Sequence, residues 1–303
     1  MNYSIEKITT LIVARRIGTA DAEIRWLLTD SRSLCFPEET LFFALKTQRN
    51  DGHQYIEDLY RRGVRNFVVN GEWLTSILQS SNSSILKWSD ANFLVVPSPL
   101  AALQRLAERH RDEFDIPVVG ITGSNGKTMV KEWLYQLLSP SMTVTRSPKS
   151  YNSQIGVPLS VWLLNEQTQV GIFEAGISQL GEMDRLRDII QPTIGVMTSL
   201  GAAHQKNFRS MEEKCMEKLR LFQDAKVIVY NADDDLVSRC IRRSGFTGKK
   251  IGWRRDEMAG KYPLPFTDEA SLKAYAVHPE HVAVADGKVR PYTSLRTCLD
   301  FEV

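Results

Sequence analysis

A lysine followed by a threonine, set where a glycine-rich turn enters a helix, is an arrangement for holding phosphate. The stretch VVGITGSNGKTMVKEW (118–133) has that layout. Gly123 and Gly126 permit backbone turns that aim several N–H groups at one point, and the helix behind them adds its positive N-terminal end. Thr122, Gly123, Ser124, Asn125 and Gly126 are therefore the candidate cradle. Lys127 is placed to reach the outer phosphates, and the Thr128 hydroxyl to hold a magnesium ion. The spacing departs from the usual loop. Ile121 stands where glycine ordinarily lies, with glycines at 120 and 123 instead.

Three further residues could complete such chemistry. Glu174 closes the apolar run VGIFEA (170–175), a costly place for an unpaired carboxylate. It either ligates magnesium or bridges to a neighbouring Arg or Lys. His204 follows a strand end in a small-residue loop, where it ligates a second magnesium, contacts phosphate, or is simply solvated. Ser210 to Glu213 forms an S-x-x-E capping box, so a helix begins there. Met211, Cys215, Leu219 and Phe222 are its apolar stripe; Lys214 and Lys218 lie together off it, as two solvated lysines or as something more specific.

The elements that must position these residues fall into two patterns. WLLT (26–29), LFFAL (41–45), NFVV (66–69) and FLVV (93–96) are predicted strands, with a helix over QYIEDLYRRG closed by Gly63. SPLAALQRLAERHRDEF (98–114) opens with a Ser-Pro helix entry and carries Leu103, Leu106 and Ala107 on one face. Its polar remainder suits a connector, with a domain boundary near Pro117. Beyond it PVVGIT (117–122), VGIFEA (170–175), TIGVMTS (193–199) and KVIVYN (226–231) alternate with helical segments, which predicts a parallel sheet covered on both faces. Val130, Trp133, Leu134, Leu137 and Leu138 are the expected buried stripe of the helix behind the cradle. The fold class is α/β: a small mixed domain at 1–97, a connecting helix at 98–114, and a P-loop NTPase-like domain at 115–303. QSSNSS (79–84) reads as a surface loop.

Composition narrows the partners. The 303 residues carry 43% hydrophobic and 24% charged residues, an ordinary globular balance. A net charge of +2 argues for no nucleic-acid or anionic-membrane partner. No apolar run approaches the ~20 residues needed to span a bilayer. Cys35, Cys215, Cys240 and Cys298 lack metal-site spacing, and the N-terminus lacks a secretory pattern, so a cytoplasmic location is expected.

The displaced-glycine loop G-x-T-G-S-N-G-K-T resembles that of the Mur ligases and their relative folylpolyglutamate synthase, which join an amine to a carboxylate using ATP. SYNSQIGVP (150–158) is similar to the family's Asn-rich segment, and FEAGISQLGEM (173–183) to its E-x-G-x-x-x-x-G-E motif. TSLGAAHQKNFRSMEEKCMEKLRLF (198–222) resembles its histidine loop and lysine helix, and NADDD (231–235) its adenine-side N-x-D-D. TDSR (29–32), LFFAL and DGHQYI (51–56) resemble the UDP-sugar-binding domain, which counts against the folate branch.

The resemblance implies an ATP- and magnesium-dependent ligase working through an acyl phosphate, with Lys127, Glu174, His204 and Lys218 as catalytic residues. Lys218 would be carbamylated and would join Thr128, Glu174 and His204 as metal ligands. Asn152, on the γ-phosphate side, and Asn231, at the adenine or ribose, would touch ATP, a turn-forming role being the competing explanation for each. Ser31, Arg32, Asp51, Gly52 and His53 would hold the UDP-sugar, although DGH also suits an ordinary turn. Lys131-Glu132 after the loop favours the branch that adds D-alanyl-D-alanine to UDP-N-acetylmuramoyl-tripeptide. Ser153 and Gly176-Ile177-Ser178-Gln179 depart from that branch and resemble its Bacteroidetes form, fused to an alanine racemase of which no sequence is present. The family's third domain has no counterpart, so a fragment with binding but little catalysis, or a non-catalytic binding module, is the competing expectation. A GTPase-like switch lacks its N-K-x-D motif.

Overall fold

The computed structural model describes residues 2–47, 50–79, 88–201 and 207–254, and the backbone of two strands at 283–285 and 288–290. QSSNSS beyond Gln79, His204 and Cys298 lie outside the described residues. The chain divides into two compact units, one of residues 1–116, 145–169 and 188–190, the other of 117–144, 170–187 and 191–303. No helix among the described residues is long and apolar enough to cross a membrane.

In chain order the first part runs β1 (Tyr3–Ser4), α1 (Ile5–Leu11), β2 (Arg15–Ile17), β3 (Glu23–Ile24), β4 (Trp26–Leu28), β5 (Thr40–Phe43), α2 (Ile56–Arg61), β6 (Asn66–Asn70), α3 (Gly71–Gln79), β7 (Asn92–Val96) and α4 (Pro99–Arg111). Its five-stranded sheet has the order β2-β7-β6-β5-β4, parallel except for the edge strand β2. Successive strand residues face opposite sides, so the runs TLFF and NFVVN feed two cores. Phe43, Val68 and Leu94 pack with Ile8, Leu103 and Leu106; Phe42, Phe67 and Phe93 pack with Ile56 and Leu59. The QYIEDLYRRG helix is shorter than expected. A tight 3-10 turn over Gly52–Tyr55 precedes α2, because Asp51 caps it by accepting from the His53 N–H at 3.0 Å. In α4, Ser98 caps the first turn and Ala102, Leu103, Leu106 and Ala107 are buried.

The remainder runs β8 (Val118–Thr122), α5 (Lys127–Leu138), β9 (Val144–Arg146), α6 (Gly156–Val161), β10 (Val170–Glu174), α7 (Glu182–Ile190), β11 (Ile194–Met197), α8 (Met211–Leu219), β12 (Val227–Asn231), α9 (Asp235–Arg243) and β13 (Lys249–Trp253). The six-stranded sheet has the order β13-β12-β11-β8-β10-β9, and the pairs around β8 are parallel, as the continuous apolar runs predicted. After β8 the chain places β10 on one side, then crosses to place β11 on the other. The carboxyl ends of β8 and β11 are thus the topological switch point, where open parallel sheets bind ligands. The α5 stripe is half-buried at Val130, Leu134 and Leu138, packed on Ile121 and Ile172. The one fully buried residue of that helix is Lys131.

Candidate active site

The cradle stands at the switch point. Gly126 begins α5 with φ +85°, and Gly123 has φ +146°. A Cβ on Gly123 would lie 1.9 Å from Thr198 Oγ1. That closeness follows from how the segment after β11 buttresses the loop. Thr198 Oγ1 donates to the Asn125 carbonyl at 2.7 Å, Ser124 N donates to Ser199 O at 2.7 Å, and the Ser124 hydroxyl donates to Gly201 O at 3.0 Å. Thr122 contributes by structure: its buried hydroxyl donates to the Ala175 carbonyl at 2.8 Å and ties β8 to the end of β10.

Glu174 ends β10 with no solvent exposure. One carboxylate oxygen lies 3.0 Å from Lys131 Nζ, also fully buried. The other accepts from Thr128 Oγ1 at 3.1 Å. Of the alternatives open for Glu174, the ion pair is therefore present, with the Thr128–Glu174 hydrogen bond beside it. Two oxygens bound side by side on an octahedral magnesium at about 2.1 Å lie about 3.0 Å apart. The Thr128–Glu174 pair has that separation, so this donor set fits the ion. Sequence reasoning missed Lys131 as the partner of Glu174. The available signal was its helical position, three residues after Thr128 on the same face.

Lysines surround the loop. Lys127 Nζ donates to Gly123 O at 2.9 Å, and Lys218 Nζ donates to the same carbonyl at 3.1 Å. Lys214 Nζ donates to Gly201 O at 2.5 Å. Lys214 and Lys218 are 2% and 3% exposed, so the solvated reading of this pair is wrong. They point inward because α8, capped by Ser210 at the Glu213 N–H (3.0 Å), presents them beside its Cys215 and Leu219 stripe. Burial, then the Lys127 and Lys214 cations, push the Lys218 ammonium down to about 7. Burial also lowers Lys127 and Lys214, with the Glu174 carboxylate acting the other way on Lys127. An anion here would meet a group of cations that repel one another without it.

The remaining candidates are placed as follows. His204 lies outside the described residues. Asn231 ends β12 and its side-chain oxygen accepts from the Asp233 N–H at 2.9 Å, a turn-forming role. Asn152 belongs to the first unit, just before α6. Also in the first unit, Ser31 opens a 3-10 turn and its carbonyl accepts from Arg62 at 2.9 Å. The exposed Arg32 fork closes on Asp30, with contacts of 2.9 and 2.6 Å. Gly52 N donates to Leu45 O at 2.8 Å. The His53 ring is buried and stacked on Trp73, with Nδ1 2.5 Å from Asp51 and Nε2 accepting from Asn70 N at 3.0 Å. Burial lowers the His53 pKa against the pull of Asp51.

Residues 121–259 match the Mur ligase middle domain. Residues 263–303 match the stress responsive A/B barrel domain, a stretch that apart from the two short strands lies outside the described residues. The chain is 31% identical over 217 residues to the UDP-N-acetylmuramoyl-tripeptide–D-alanyl-D-alanine ligase of Bacillus subtilis, covering 71% of this chain and 45% of that protein. It is 32% identical over 235 residues to the enzyme of the same name from Synechocystis, covering 76% and 48%. Among solved structures, MurF of Acinetobacter baumannii superposes with a TM-score of 0.70 at 23% identity, covering 85% of this chain and 54% of that one. MurF ligase of Thermotoga maritima in complex with ADP gives 0.63 at 26%, covering 77% and 51%. The chain spans about half the length of the curated relatives it matches.

Proposed function

Since the chain belongs to the Mur ligase family, we propose that it is part of an ATP-dependent ligase that adds D-alanyl-D-alanine to UDP-N-acetylmuramoyl-tripeptide. The observation that carries this reading is the lysine-lined cradle facing the Thr128–Glu174 oxygen pair. It is the equipment for moving a phosphoryl group onto a carboxylate. The carboxylate oxygen attacks the γ-phosphorus, the bond to the β-phosphate oxygen breaks, and ADP leaves. The amine then adds to the acyl carbon, loses its proton and displaces phosphate.

Charge on the transferring phosphoryl has to be met by groups already in place. Lys127 supplies one, together with the N–H groups of the cradle. Thr128 and Glu174 would hold magnesium, which neutralises phosphate charge when bound. Lys131 fixes the rotamer of Glu174 so that one oxygen stays turned to Thr128. Lys218 as a carbamate is the further part of this reading. Only a neutral amine reacts with carbon dioxide, and an amine titrating at about 7 is half neutral at that pH. His204 as a metal ligand, and Asn152 and Asn231 as ATP contacts, rest on the family resemblance.

In the first unit Ser31 and Arg32 are proposed to receive the UDP-sugar, Arg32 trading Asp30 for pyrophosphate. Asp51, Gly52 and His53 would shape that site through the backbone they hold. The racemase-fused form of the branch is supported by Ser153 and Ser178-Gln179.

The test is titration of the protein with ATP and magnesium, and separately with UDP-N-acetylmuramoyl-tripeptide, followed by phosphate release from the full-length protein with and without D-alanyl-D-alanine. Binding of both ligands is expected, with release that depends on the dipeptide. Lys127→Ala should lose the outer-phosphate contribution to ATP affinity. Undiminished ATP affinity in that variant, or release indifferent to the UDP substrate, would overturn the reading.

A further inference from the structure

Among the described residues two carboxylates are buried, Glu174 and Glu217. The first faces Thr128; the second stands on α8 directly before Lys218. Its contacts reach another element. One oxygen of Glu217 accepts from Gly181 N at 2.8 Å and from Met183 N at 3.2 Å. The other lies 3.6 Å from Arg220 Nε.

Those amides open α7. Gly181 is its N-cap, with φ +83°, and a glycine has no side chain to take the N–H groups that a helix start leaves over. Glu217 takes them from a neighbouring helix, with a charge that the N-terminal end of α7 favours. On the same turn Glu182 accepts from Ser178 N at 2.6 Å and from Gln179 N at 3.0 Å. The connection from β10 to α7 is therefore held from within by Glu182 and from α8 by Glu217. Arg220 also pairs with Asp184 of α7, but at the surface, where ion pairs hold weakly. The buried tie is Glu217.

The clamp joins the surroundings of two residues proposed above as magnesium ligands, Lys218 as its carbamate. The connection it grips leaves directly from Glu174, and the helix it grips from carries Lys218 as the next residue. How far each side chain reaches depends on where these backbones stand, and magnesium accepts little departure from its octahedral distances. We propose that Glu217 is a positioning residue for the magnesium site: by capping α7 from α8 it sets the spacing between Glu174 and Lys218. This rests on the ligase reading above.

The experiment measures ATP affinity of the protein at fixed carbon dioxide, with magnesium and with a chelator in its place, for the parent and for Glu217→Ala, Glu217→Asp and Glu217→Gln. Gln keeps an acceptor oxygen at the same reach, Asp keeps the charge on a shorter side chain, and Ala keeps neither. Amide hydrogen exchange at Gly181 and Met183 reports the clamp itself, and circular dichroism monitors the fold.

The expected result is that Ala and Asp lose about tenfold of the affinity gain that magnesium confers, the scale of removing a group that supports a metal ligand. Exchange at both amides should quicken, while ATP affinity without magnesium stays near the parent's because the cradle is untouched. Gln should keep most of the gain. A residue serving the fold alone would lower the folded fraction and leave the ratio of the two affinities as it was. An unchanged ratio in Ala and Asp, or equal weakening with and without magnesium, therefore overturns the proposal. So does a Gln variant that loses as much as Ala. Should Ala fail to fold, Asp and Gln carry the same comparison. A parent protein whose ATP affinity magnesium does not raise overturns the ligase reading itself, a distinct outcome.

Discussion

Removing Lys131 should unfold the second unit far more readily than any surface change, and the structure sets the size of the effect. Lys131 and Glu174 are both fully buried and 3.0 Å apart. At that distance, with an effective dielectric constant of about 20, two unit charges attract by about 5 kcal/mol. Glu132, 3.2 Å from the same ammonium, is partly in solvent and contributes less. Lys131→Met strands the Glu174 carboxylate at the end of a buried strand, and stranded buried charges cost about 3–5 kcal/mol. Glu174→Met leaves the ammonium with Glu132, 3.2 Å away, and should cost less. The double variant removes both charges, leaves Thr128 a half-exposed hydroxyl that water can reach, and should lie within about 1 kcal/mol of the parent. Urea unfolding of the four proteins, followed by circular dichroism, forms a double-mutant cycle with a coupling of about 3 kcal/mol or more. Additive losses, or a Lys131→Met cost below about 1 kcal/mol, would refute the claim that Lys131 and Glu174 are strongly coupled buried charges.

Lys218 titrates at about 7 in the fold and near 10.4 in an unfolded chain, so between those values the unfolded state holds the extra proton and stability climbs with pH. Lys218→Met lacks that climb: in carbon dioxide-free buffer its urea midpoint should exceed the parent's at pH 6 and lose most of that lead by pH 10, and a constant difference would count against a buried, depressed amine. With labelled bicarbonate at fixed carbon dioxide, a carbamate carbon resonance should grow as pH rises through 7 and vanish in Lys218→Met. Gly123→Ala places a Cβ 1.9 Å from Thr198 Oγ1 at φ +146° and should cost about 2 kcal/mol or more along with ATP binding; Thr198→Ala should restore only part, since the backbone strain persists. Ser210→Ala removes the cap on the Glu213 N–H and should lower stability by about 1 kcal/mol, visible as a lower thermal midpoint.

The parallel strands were legible because both of their faces are buried, which writes continuous apolar runs into the chain at 118–122, 170–174 and 227–231. The cradle was legible because positive backbone angles demand glycine at fixed offsets from a lysine. Short elements were not. β9 is a three-residue edge strand, and β13 carries Lys249, Lys250 and Gly252, so neither has the pattern of a buried run. Charged side chains were the hardest to place. Lys131, Lys214 and Lys218 are written like surface lysines, and only the fold decides whether a helix turns them inward. His53 was open in the sequence. DGH suited either a UDP-sugar contact or an ordinary turn, and the fold engages the His53 ring nitrogens with Asp51 and the Asn70 N–H.

The Gly123 carbonyl accepts from Lys127 and Lys218 together, which on the proposed reading would make nucleotide capture a trade. A phosphate oxygen that draws Lys127 toward itself gives up one of these contacts for another, so measured affinity is the difference between two similar interactions. The same oxygen is then left to Lys218 alone. On the proposed reading, and with Lys218 unmodified, the first lysine to follow the ligand would change the surroundings of the second, so that one backbone atom would couple the cradle to helix α8.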